Sequence, residues 1–114
     1  MLDRTFQAEL VGETLVVSGD VDDYGIITMR NLLAEHGTRP GGRLLVELSG
    51  VDYLPSVAVG VLTKAISAAD RSGSEVHLVA RRGSVAQRVL MVCALPYRES
   101  VDDESDPPES DVPA

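Results

Sequence analysis

The sequence predicts an α/β domain, with a mostly parallel sheet of four or five strands, opened by a β-hairpin, and helices mainly on one face. Three observations predict it. Two short β-type segments lie close together near the start of the chain. After them, helical and β-type segments alternate, and within 114 residues that order implies parallel strands joined by right-handed crossovers. Crossovers that advance in one direction put their helices on the same face. The core must be aliphatic, because the chain has no Trp and a single Phe.

Residues 5–10 alternate apolar and polar side chains and read as the first strand; Val11-Gly12-Glu13 is a tight connection to the more continuously apolar strand 14–18. In the loop Gly19-Asp20-Val21-Asp22-Asp23, Asp22 or Asp23 suits the N-cap of a helix, since a carboxylate accepts from its free N–H groups. Ile26, Met29, Leu32, Leu33 and His36 then recur at helical spacing up to Gly37, with His36 as a surface residue of the last turn. Pro40-Gly41-Gly42 turns the chain into a third strand over 43–48, apolar except for Glu47 and therefore covered on at least one face. A helix follows from Ser56 to about Arg71, closed by Ser72-Gly73; 75–80 is the fourth strand; Ser84 caps a helix reaching about Cys93 or Ala94; Pro96 breaks the pattern, and 97–101 forms a short final strand.

Charge divides the chain in two. Six of the eighteen acids lie in residues 102–114, which hold no base and three prolines; residues 1–101 keep twelve acids against ten bases, a net charge of −2. We expect a folded domain over 1–101 and a disordered acidic tail over 102–114. The total of −8 argues against nucleic-acid binding. No apolar run approaches a bilayer's thickness and the N-terminus shows no secretory signal, so we expect no membrane insertion. Cys93 is the one cysteine, which excludes an intrachain disulfide and fits a reducing cytoplasm; its apolar surroundings predict a small buried hydrophobe.

Nothing points to catalysis. His36 and His77 have no Cys, Asp or His partner at metal-ligand spacing, and no Gly-rich phosphate loop is present. No catalytic residue, metal or cofactor is expected, and Asp20, Asp22 and Asp23 serve capping and solubility in the plainest reading. The helix after Leu54 is more informative. At about 100° per residue, Ala58, Leu62, Ala65, Ile66 and Ala69 share the face suited to the sheet. Val57, Gly60, Val61, Lys64, Ala68 and Arg71 fall opposite. Lys64 and Arg71 mark that side as wet, yet its first turns carry Val57, Gly60 and Val61. A mid-helix glycine costs about 1 kcal/mol relative to alanine, and on an outer face it admits another backbone; an apolar patch beside it reads as a docking surface.

Two segments resemble the STAS domain family, of the bacterial anti-sigma factor antagonist type. Ser18-Gly19-Asp20-Val21-Asp22 is similar to the family's G-E-L-D loop, and Glu47-Leu48-Ser49-Gly50-Val51-Asp52-Tyr53-Leu54 to its D-L-S-x-V-x-F-(L/M) strand end. The order of elements agrees over residues 5–101. The family often continues D-S-(S/T)-G-(L/I), whose second hydroxyl is phosphorylated by the anti-sigma factor, itself a kinase. Here Pro55, Ser56, Val57, Ala58 and Val59 stand in those places, closer to a sub-pattern with G-S-A-G, and the acceptor position is Val57, which has no oxygen.

The resemblance implies a non-enzymatic regulator that docks on an anti-sigma factor of the ATP-binding kinase type and frees a sigma factor. Its expected contact surface is Asp20, Asp22 and Asp23 with Pro55, Ser56, Val57, Gly60, Val61 and Lys64. A phosphoryl group would place about −1.5 to −2 charges in the apolar patch and so expel the partner; with Val57 the patch stays uncharged. Ser56 is expected to be the N-cap, worth roughly 1 kcal/mol, with use as a displaced phosphorylation site the alternative. The rival functions are a STAS scaffold or accessory subunit of a signalling or transporter complex and, with less behind it, a small-ligand or nucleotide-binding domain. Self-association is compatible with either protein-binding role.

Overall fold

The computed structural model describes residues 4–102. Its elements are β1 (Gln7–Val11), β2 (Thr14–Asp20), α1 (Asp23–His36), β3 (Arg43–Tyr53), α2 (Ser56–Ser72), β4 (Glu75–Val79) and α3 (Val85–Val92). The strands form one sheet in the order β1-β2-β3-β4. β1 pairs antiparallel with β2, and the other two pairings are parallel. This is the α/β architecture the alternation predicts. Most of the expected acidic tail, residues 103–114, lies outside the described residues.

The hairpin closes over Gly12-Glu13, because Val11 pairs with Thr14. Gly12 takes a φ of 61° at the first loop position, the place a type II′ turn gives to glycine. α1 starts where Asp22 Oδ1 accepts from the Gly25 amide at 2.8 Å, so the loop aspartate satisfies one free helix N–H. It ends as the Gly37 amide donates to the Leu33 carbonyl at 2.8 Å. α3 starts on Ser84, whose Oγ accepts from the Gln87 amide at 3.1 Å.

The core lies between the sheet and the helices. Val46 and Leu48 of β3 and Val76, Leu78 and Ala80 in and after β4 share one apolar cluster with Met29 and Leu33 of α1, Ala58, Leu62 and Ala69 of α2, and Ala86 and Leu90 of α3. Burying each large aliphatic side chain there contributes about 1.5–3 kcal/mol. Glu47, Glu75 and His77 occupy the alternate strand positions and point to the other face. Glu75 Oε1 and His77 Nε2 meet at 2.7 Å. That hydrogen bond, with the imidazole's charge when protonated, holds the Glu75 carboxyl below its ordinary value.

Three expectations need correcting here. β3 runs to Tyr53 and not to Leu48, because it carries extra residues against β2. Val16 pairs with Glu47 but Ser18 pairs with Gly50, and Gly19 pairs with Val51 but Asp20 with Tyr53; bulges of this kind keep a strand paired while re-aiming it. The short final strand is a single bridge between Val79 and Arg98. Ala94 sits in the left-handed region at φ 58° and Pro96 lacks an N–H, so the chain meets the β4 edge only at Arg98 before turning away. Cys93 is exposed, not buried. α3 stops at Val92, and Cys93 is the cap residue beyond it, where the chain has already left the core.

Candidate functional site

The carboxyl ends of β2 and β3 lie side by side, and each leads into a helix. The Val21 amide donates to the Tyr53 carbonyl at 3.0 Å, which ties the acidic loop to the segment entering α2. In a parallel sheet this end is where binding residues collect. Gly19 shapes the loop from below. It has a φ of 81°, and a side chain there would strike the carbonyl of Thr5, which crosses directly over it. The Asp20 amide donates to the Arg4 carbonyl at 2.8 Å. The N-terminal segment therefore holds the loop in place.

The three loop aspartates differ in what they can offer. Asp20 is half-buried, and its Oδ1 is enclosed with no hydrogen-bond partner among the described residues. Asp22 is committed to the α1 cap. Asp23 is exposed in the first turn of α1 and free to meet a partner.

At the start of α2, Pro55 is the N-cap, extended at φ −74° and ψ 163°. Ser56 is already the first helical residue, is exposed, and does not cap; no side chain caps this helix. The expected Ser56 cap is thus displaced by one residue. Proline's fixed φ suits the extended cap position, so helical geometry begins at Ser56, past the place from which its hydroxyl reaches the free amides of the first turn. The first turn also carries no acid.

The outward face of α2 is as the helical spacing predicts. Val57 is 63% exposed. Gly60 is exposed, with open space where a Cβ would stand. Val61 is half-buried at the edge of the core cluster, and Lys64 is exposed. These residues do not form a flat patch. With α1 they line an open groove of about 420 Å³, whose other wall carries Ile26, Arg30 and Leu33. The sequence reading missed that wall because it considered α2 alone, although Ile26, Arg30 and Leu33 fall at i, i+4 and i+7 of α1, a single helical stripe. It also passed over Tyr24 and Tyr53, which are 70% and 54% exposed at the same end of the sheet.

The structure thus joins Val57, Gly60, Val61 and Lys64 to the α1 stripe in one groove, whereas Asp20, Asp22, Asp23, Pro55 and Ser56 do not line it. Among the described residues no three His, Cys, Asp or Glu side chains stand close enough to hold a metal ion. No helix among them is long and apolar enough to cross a membrane.

A family model described as "Mlab, STAS domain" matches residues 5–93. The chain belongs to the STAS domain family. Solved structures carry the same fold. An anti-sigma factor antagonist from Mycobacterium paratuberculosis superposes with a TM-score of 0.62 at 21% identity, over 87% of this chain and 88% of that one. The anti-sigma factor antagonist SpoIIAA in its unphosphorylated form gives 0.60 at 17% identity, over 80% and 82%. The Bacillus cell fate determinant SpoIIAA in its phosphorylated form gives 0.57 at 19%, over 80% and 85%. At these identities the likeness is one of fold. The STAS assignment agrees with the two sequence motifs.

Proposed function

We propose that this STAS domain is a non-enzymatic, cytoplasmic anti-sigma factor antagonist. It docks on an anti-sigma factor of the ATP-binding kinase type and so frees a sigma factor. The contact surface is Asp20, Asp22 and Asp23 with Pro55, Ser56, Val57, Gly60, Val61 and Lys64. Docking is not under phosphoryl control at the usual place. One observation carries this reading: an aliphatic side chain, Val57, stands exposed in the first turn of α2, where the family's motif has the acceptor hydroxyl. Exposed valine beside an apolar groove favours a partner of similar character. A carbon-only side chain gives a kinase nothing to modify.

The test is to mix the chain with a kinase-type anti-sigma factor and ATP, and to record intact mass and affinity together. The expected result is tight binding and unchanged mass. A phosphate on Ser56 accompanied by release of the partner refutes the regulatory half of the proposal, and absence of binding refutes the rest.

The second reading, an accessory subunit or scaffold, draws on the same residue. A docking surface that cannot be charged off suits a permanent assembly. A stable complex recovered with no link to any sigma factor decides for it.

A further inference from the structure

The groove between α1 and α2 has a chemistry that a protein-docking face does not require. Its lining is mostly apolar, with Ile26, Leu33, Val57 and Val61, and it holds two cations, Arg30 on α1 and Lys64 on α2. No acidic residue lines it, although the chain as a whole carries −8. Neither Arg30 nor Lys64 forms an ion pair among the described residues. A volume of about 420 Å³ lies in the range of small-ligand sites. From Lys64 back to Val57 the groove runs about 10 Å at 1.5 Å per residue, the length of about eight methylenes. Gly60 lies on this path and leaves it unobstructed.

From this we infer that the groove is a binding site for a medium-chain carboxylate, a monomeric fatty-acid-class amphiphile. The carboxylate sits between Arg30 and Lys64, and the chain lies along Val61 and Gly60 toward Val57. Guanidinium and ammonium groups both donate to a carboxylate, and neither must abandon an existing partner to do so. The groove is open on one side and covers the chain in part, so affinity comes from the methylenes that meet its apolar lining and orientation from the head group. Since Val57, Gly60, Val61 and Lys64 also belong to the proposed docking surface, the ligand and a protein partner compete. The site itself depends on no partner and is tested without one.

The probe is sodium octanoate, added to the full chain alone below its micelle concentration and followed by amide chemical shifts. Saturable shifts confined to α1 and α2 are expected. From hexanoate to octanoate, affinity rises about two-fold per half-covered methylene and then levels off once the chain outruns Val57. Octanol, which lacks the charge, binds at least three-fold more weakly. The double variant Arg30→Gln/Lys64→Gln, altered only at exposed positions, keeps the fold and loses the preference for octanoate over octanol. The inference is overturned by shifts scattered outside the groove, by octanol binding as well as octanoate, or by an unchanged preference in the double variant. Failure here leaves the anti-sigma factor reading intact, because that reading rests on the exposed Val57 and requires no small ligand.

Discussion

Replacing Val57 by aspartate separates folding from docking. Val57 is 63% exposed, so about a third of its burial energy is at stake, roughly 0.5–1 kcal/mol of the 1.5–3 a fully buried valine contributes. Against this loss, the new carboxylate enters the first turn of a helix that has no acid there and no side-chain cap. An anion in that position stabilises by about 0.3–1 kcal/mol. The two effects offset each other, and Tm should stay within ~4 °C of the parent. Docking behaves otherwise. A carboxylate pressed into an apolar contact without a counter-charge costs about 3 kcal/mol, or ~100-fold in affinity. Denaturant unfolding and calorimetric titration against the anti-sigma factor, on one preparation of Val57→Asp, give both quantities. An affinity within two-fold of the parent, with the fold intact, would place Val57 outside the interface and refute the reasoning.

The other predictions concern stability. Asp22→Ala removes the α1 cap at 2.8 Å and should lower unfolding free energy by about 1 kcal/mol, with circular dichroism melts as the readout. Gly25→Ala places a methyl 2.7 Å from the Phe6 ring at a buried position, and overpacking of this kind costs about 1–3 kcal/mol; the same melts detect it. His77→Leu removes the hydrogen bond that depresses the Glu75 carboxyl. A carboxyl whose folded value is lowered contributes stability above its unfolded value of 4.5 and loses it as pH falls through the folded one. The stability gap between parent and His77→Leu should therefore be present at about pH 5 and narrow toward about pH 3.

Much of the fold was legible because its signals are local. Asp22 and Ser84 announce helix starts through cap chemistry, Gly73 ends α2, and the spacing of Ala58, Leu62 and Ala69 fixes which side of α2 turns inward. What escaped depends on contacts between distant residues. The length of β3 is set by its register with β2, which residues 43–53 alone do not encode. The one-residue slip between Ser56 and Pro55 turns on backbone angles and not on side-chain preference. Cys93 sits among apolar neighbours in sequence, yet α3 ends one residue earlier and leaves it outside. Of the candidate site, the α2 half was readable from one helix, whereas the groove exists only because α1 lies alongside.

The sheet has two unlike margins. Beside β4, Arg98 takes up the outward carbonyl of Leu78 and the amide of Ala80, both at 2.8 Å, so no further strand can add at that level. β1 pairs only with β2 among the described residues, carries a single charge at Glu9, and leaves Leu10 and Val11 exposed. An open, lightly charged rim of this kind is a template for a neighbouring molecule. Concentrated stocks are therefore expected to pair through β1 into dimers, one sheet running across both copies and stopping at each blocked β4 margin. A lysine at Val11 should prevent that pairing, which light scattering of Val11→Lys against the parent would reveal.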